Sequence, residues 1–260
     1  MKKNLWTREE LILAFNLYLK LPFGKMHTRT PEIIELANLT GRTVNSIAIR
    51  LTNFASCDPY HQNRGVKGMV GGLRQCQPIW DEFSNNKENL IFESELILAD
   101  REDLTIEKKF DDLLFDLKDL KGETKIREVK TRVNQNVFRQ IVVSNYSGKC
   151  AISGIDIPEL LFASHILPWS KNENERLNPE NGICLSALYD KAFDKGFIGI
   201  NEKFEILVSN DLKKKNKQDY YLKYFSHLEN SKINTPQRYY PHKDFLQYHL
   251  DEIFEKRNLK

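Results

Sequence analysis

Between Cys150 and Ser209 the sequence gathers side chains able to move a proton or hold a cation. His165 stands in the run Ser164-His165-Ile166-Leu167-Pro168, Asn181 precedes Gly182, and Tyr189-Asp190 is followed one helical turn later by Phe193-Asp194. A neutral imidazole is the side chain best matched to taking a proton near neutral pH. Carboxylates and amide carbonyls are the oxygen donors that hard divalent cations select. Each of these residues also has a plain structural use. Asn181 before a glycine is a good turn residue in any protein, and Asp194 can equally brace the fold through Lys195 or the Gly196 turn. The remaining histidines, His27, His61, His227, His242 and His249, lack comparable surroundings and are read as non-catalytic.

The elements that must position these groups follow from the local pattern. A strand or turn covers Cys150 to Gly154, an apolar run leads from Leu161 through His165 to Pro168, a second strand follows Asn181-Gly182, and a helix bears Tyr189, Asp190, Phe193 and Asp194. Two strands and a helix carrying HILP, NPENGICL and DKAFDKG resemble the HNH nuclease family, over residues from about 135 to 200. The resemblance implies a ββα unit around one divalent metal, Mg2+ or Mn2+, and hydrolysis of phosphodiester bonds. It makes His165 the general base, Asn181 a catalytic residue and ligand, and Asp190, Asn181 and Ser164 the occupants of the metal positions. Two positions depart from the family pattern. Where many members carry Asp or His before the base, this chain has Ser164, a weaker ligand. The helix position commonly filled by His falls at Tyr189 or at Asp190, according to the spacing matched, and Asp190 is the better ligand of the two. An alternative is therefore a DNA-binding protein with a degenerate, inactive HNH unit. Many relatives also carry CxxC zinc knuckles; CAIS keeps only Cys150, so no structural zinc is expected.

Upstream, the periodicity predicts three helices. Thr7 and Glu10 form a capping box before Leu11, Ile12, Phe15, Tyr18 and Leu19. Thr30-Pro31 opens a second helix with Ile33, Ile34 and Ala37 on one face, and Thr43 caps a third with Ile47, Leu51 and Phe54 inward. Asn45, Ser46, Ile49, Arg50 and Asn53 are then expected outward, either on the helix that a helix-turn-helix lays in the major groove or, equally, on the solvated polar face of an ordinary three-helix bundle. Residues 61–76, HQNRGVKGMVGGLRQC, read as a flexible basic loop that is either a plain surface loop or one whose Arg64 and Lys67 meet phosphates. From 81 to 125 an acidic helical connector places Ile106, Phe110, Leu113, Leu114 and Leu117 on one stripe and ends at Gly122. A further helix follows, with Val137, Ile141 and Val142 buried and Arg132, Gln135 and Arg139 on its polar face; Arg139 is a candidate DNA contact. The N-terminal pattern resembles the leading domain fused to HNH nucleases in bacterial restriction-like proteins. The tail, with Phe245, Leu246, His249, Ile253 and Phe254 in a stripe, resembles their closing helix.

The expected fold class is α+β: a helix-turn-helix-like helical domain over residues 1–80, a helical linker over 81–125, and a C-terminal ββα-metal HNH nuclease domain over 126–260. Charge is segregated in the same way. Residues 1–80 hold 11 Lys plus Arg against 5 Asp plus Glu, a net +6; residues 81–125 hold 7 against 14, a net −7; the rest holds 21 against 17, a net +4. Basic ends suit a polyanionic partner, here double-stranded DNA; RNA is disfavoured because an A-form major groove admits no helix. Four scattered cysteines, the absence of an apolar run long enough to span a bilayer and the absence of a secretory leader point to a reducing, cytoplasmic protein without membrane contact. The activity expected is that of a metal-dependent restriction-type DNA endonuclease. Cutting both strands from single-metal sites is most simply met by a homodimer.

Overall fold

A computed structural model describes residues 5–117, 121–254 and 256; part of the acidic segment, 118–120, and the two chain ends lie outside the described residues. The chain divides into two compact units, Met1–Val137 and Phe138–Lys260. The mixture of a helical first unit with a helix-and-hairpin second unit is α+β, as expected.

Three helices open the first unit: α1 (Arg8–Lys20), α2 (Pro31–Thr40) and α3 (Val44–Ala55). The Thr7/Glu10 capping box forms, with Glu10 N–H donating to Thr7 Oγ1 at 3.2 Å and Thr7 N–H to Glu10 Oε2 at 2.8 Å. Gly41 terminates α2 at φ +66°, a left-handed conformation that glycine adopts without a Cβ penalty. The inward residues of α1 and α3 are buried as the periodicity requires. On α2 the buried set is Ile33, Leu36 and Ala37; Ile34 is exposed.

Four expectations for this unit need correction. Residues 70–83, part of which read as a loop, form the helix α4 (Val70–Phe83), because Cys76, Ile79 and Phe83 bury one helical stripe. Acidic residues from 81 onward do not lie apart from the basic N-terminus. Helix α5 (Lys87–Arg101) packs along α1, where Glu95 meets Lys20 at 2.7 Å and Arg101 meets Glu9 at 3.0 Å; Arg8 also bonds Glu93, and reaches Glu82 of α4 at 2.6 Å. Arg8 and Lys20 of the basic N-terminal stretch are thus paired with carboxylates of the acidic segment. The stripe from Ile106 to Leu117 is not one helix but three short turns, Ile106–Lys109, Asp111–Leu114 and Phe115–Leu117. Their apolar residues join Ala99, Val129 and Val133 in one core cluster. Gly122, at φ +61°, begins the long helix α6 (Gly122–Asn145) instead of ending its predecessor.

In the second unit β1 (Leu161–His165) pairs antiparallel with β2 (Gly182–Ser186), and α7 (Ala187–Asp194) follows directly. A second hairpin joins β3 (Ile198–Ile200) to β4 (Ile206–Val208). Helix α8 (Lys243–His249) continues into a π-helical stretch, Leu250–Phe254, which packs on β3. Leu246, His249 and Phe254 are its buried stripe.

Candidate active site

Register and pleat decide which groups can meet. His165 pairs with Gly182, and that pair lies against α6: the His165 ring stacks on Phe138 at 4.2 Å, and a Cβ on Gly182 would come within 2.4 Å of Val142 Cγ2. Ser164, one residue earlier, faces the other way. Its hydroxyl donates to Asp190 Oδ1 on α7. The helix spacing puts Asp194 one turn beyond Asp190 on the same face.

His165 is half-buried, with Trp169 edge-on at 5.3 Å. Its Nε2 lies 2.8 Å from the Arg176 carbonyl. A carbonyl only accepts, so Nε2 carries the hydrogen and Nδ1 keeps the lone pair of the neutral ring. Burial pushes the imidazole below its ordinary range, opposed by the Arg176 carbonyl and the charge of Asp194. Burial raises the Asp190 carboxyl; the Ser164 hydrogen bond opposes this, and the negative charge of Asp194 adds to it. Asp194 is therefore the group whose field reaches both His165 and Asp190, a link that the sequence, which left Asp194 between brace and ligand, did not disclose.

The loop between the strands is held by side chains. Asn181 is 2% exposed; its Oδ1 accepts Leu167 N–H at 2.7 Å, and its Nδ2 donates to the carbonyls of Glu175 at 3.0 Å and Leu167 at 3.4 Å. Of the two roles open to it, these bonds are those of a loop brace. Arg176 Nε donates to the Trp169 carbonyl at 2.8 Å while its guanidinium lies 5.2 Å from the Trp169 ring centroid. Arg176 and Trp169, which sequence reasoning missed, thus set the His165 ring; the only signal for them was their place between the two motif pieces.

Tyr189 points away from the Ser164 and Asp190 pair, donating its hydroxyl to the Tyr224 carbonyl at 3.0 Å with Phe225 edge-on. Asp190 is thus the position that meets β1. Cys150 Sγ accepts N–H groups of Ser153 at 3.3 Å and Ser186 at 3.1 Å, tying the preceding turn to the end of β2. Arg139, expected on DNA, spends its guanidinium on the carbonyls of Pro158 at 2.5 Å and Leu161 at 3.1 Å.

A histidine at the end of β1, an antiparallel hairpin and a carboxylate helix in direct succession are now in place. Residues 150–201 match the family model of the HNH endonuclease. The matched stretch spans the Cys150 turn, both strands of the hairpin, α7 and β3. An HNH domain suggests nuclease activity on DNA, and such domains generally depend on a divalent metal. No curated protein matches the chain. Among the described residues no group of three or more His, Cys, Asp and Glu side chains is clustered as a metal site. No helix among them is long and apolar enough to cross a membrane.

The expected DNA-contacting residues of the first unit divide. Asn45 is exposed and Ser46 half-buried near the start of α3. Arg50 and Asn53, expected outward, are 6% and 2% exposed. Arg50 lies 4.4 Å from the Trp6 ring centroid and donates to Gln75 Oε1 at 2.9 Å, while Asn53 Oδ1 accepts Met69 N–H at 2.9 Å. The cause is α4, which the sequence did not disclose and which covers that side of α3. Arg64 and Lys67 remain exposed.

Proposed function

We propose that this protein is a metal-dependent DNA endonuclease of restriction type, with its first unit engaging duplex DNA and its HNH segment hydrolysing the phosphodiester bond. The observation that carries the reading is the Ser164–Asp190 hydrogen bond, which joins the end of β1 to α7 beside a histidine held in one tautomer. The donors fit a hard cation: the half-buried Asp190 carboxylate, the Ser164 hydroxyl, and the exposed Asp194 carboxylate one turn away, all oxygen. Mg2+ is commonly held by one or two carboxylates together with water and substrate phosphate, so three ligating His, Cys, Asp or Glu side chains are not required. Asp190, Ser164 and Asp194 would hold Mg2+ or Mn2+, which supplies positive charge against the developing charge of the phosphate and leaving oxygen.

His165 takes the proton of the attacking water at Nδ1. The Arg176 carbonyl fixes the ring by accepting from Nε2, and becomes a better partner as the ring acquires positive charge. Phe138 and Trp169 restrict the ring to one orientation and limit water around it. Asn181 holds the loop that carries Arg176. In keeping with four unpaired cysteines, the working compartment is the reducing cytoplasm. A pair of chains acting on opposite strands accounts for double-strand cutting.

Plasmid incubated with purified protein and magnesium or manganese is expected to be nicked or linearised, and EDTA is expected to stop this. Protein that retards DNA yet never cuts it with either metal would instead support the reading of a DNA binder with an inactive HNH unit.

A further inference from the structure

The side of α3 that carries Asn53 and Ser56 is occupied by the chain itself. A Cβ at Gly68 would stand 2.2 Å from Ser56 Oγ, and one at Gly72 would stand 2.1 Å from Asn53 Nδ2. Only glycine permits so close an approach. Buried polar groups then fix the segment from beneath: Asn53 Oδ1 holds Met69 N–H at 2.9 Å, and Arg50 donates to the Gly72 carbonyl at 3.2 Å and to Gln75 at 2.9 Å. Side chains within and just before this anchored stretch point outward. Arg64, Lys67 and Arg74 are exposed, and Met69 and Val70 are 64% and 71% exposed. Among the described residues no ion pair joins any of these three cations to a carboxylate; Arg64 leans on the Tyr60 ring at 5.4 Å.

We propose that residues 64–74 are the DNA-contacting surface of the first unit, with Arg64, Lys67 and Arg74 on backbone phosphates and Met69-Val70 as an apolar tip against the bases of duplex DNA. The identity of the polyanion rests on the nuclease reading above; the surface itself rests on the packing. Two adjacent apolar side chains ringed by unpaired cations are poorly suited to water, but they match a groove, where phosphates flank thymine methyl groups and base steps into which apolar residues wedge. Anchoring through Gly68, Gly72, Asn53 and Arg50 means that the segment is shaped before it binds, so little ordering entropy opposes association. Arg50 and Asn53 thereby act as supports under the contact surface and not as base readers.

The test uses the full chain in EDTA, where no cleavage occurs, with labelled duplex DNA followed by fluorescence anisotropy across a salt series. Lys67→Ala with Arg74→Ala is expected to weaken binding roughly tenfold at about 50 mM salt and to lower the slope of log affinity against log salt by about two, one per lost phosphate contact. Met69→Ser with Val70→Ser is expected to weaken binding with the slope unchanged. Lys108→Ala with Lys121→Ala removes the same charge elsewhere and is expected to change neither. All these side chains are on the surface, and unchanged thermal melts establish that the variants fold. If the wild type cuts plasmid and both segment variants bind with wild-type affinity and slope, the surface is wrong and the nuclease reading stands. Wild-type protein that binds no duplex DNA, or prefers RNA or anionic vesicles to it, overturns the surface; absence of cleavage as well overturns the nuclease reading.

Discussion

Ser164 and His165 are neighbours in sequence that the pleat of β1 sends to opposite faces, one to the Asp190 carboxylate and one to the Phe138 ring. His165→Ala is expected to abolish cleavage, measured as plasmid nicking with magnesium, while affinity for duplex DNA in EDTA stays within a few fold, because the imidazole acts on water and not on the duplex. Retention of the wild-type rate would remove His165 from the reaction. Asp190→Ala is expected to shift the magnesium midpoint of cleavage upward or to eliminate activity, whereas Tyr189→Phe should leave that midpoint unchanged. The latter loses only the bond to the Tyr224 carbonyl, about 0.5–1.5 kcal/mol of stability readable by urea unfolding. His165, Ser164 and Asp190 were legible because their types and spacing are local. Asp194's electrostatic reach and Arg176's hold on the ring were not, since both depend on how a loop and a helix fold back over the hairpin.

Gly182 shows how an element enforces the site. Its missing side chain lets β2 approach α6, and a Cβ there would stand 2.4 Å from Val142 and 2.9 Å from Phe138, the ring that backs His165. Gly182→Ala is therefore expected to cost about 1–3 kcal/mol by overpacking. It should also lower the cleavage rate by displacing Phe138, whereas a change at an exposed residue away from the site, such as Lys217→Ala, should do neither; urea unfolding and single-turnover cleavage measure the two effects. Helices α1, α2 and α3 and the ββα order were legible as elements because periodicity and caps are written within each segment. The Gly68-to-Gln75 stretch was not, because glycines that read as flexibility in one dimension become close-packing surfaces once α3 lies beneath them. The same limit applies to residues 106–117, whose apolar spacing fits one helix but whose turns are set by the core they share with Val129 and Val133.

At the scale of the whole molecule, stability should depend on pH through His249. The ring stacks on Phe193 at 3.7 Å, Nε2 donates to the Phe193 carbonyl at 3.0 Å, and burial pushes its pKa from an ordinary 6.5 down to about 4. A depressed folded pKa means that its contribution is fully present above pH 6.5 and is lost as pH falls through about 4. The loss amounts to about 3 kcal/mol. His249→Gln is expected to flatten the decline in unfolding free energy between those pH values, and an identical decline in both proteins would exclude this source. Charge segregation was legible as a sum but not as an arrangement, since a net count cannot reveal that Arg8 and Lys20 of α1 pair with carboxylates of α4 and α5.

That pairing also sets an order of events during synthesis. Asn16 on α1 is buried with its amide donating to Ser94 at 2.8 Å, across 78 residues of chain. At about 5–20 residues per second, roughly 4 to 16 s separate the emergence of these partners from the ribosome. Until α5 arrives, the nascent helix presents an uncovered apolar flank with an unanswered amide at its centre, a natural landing place for chaperones that hold unfinished chains.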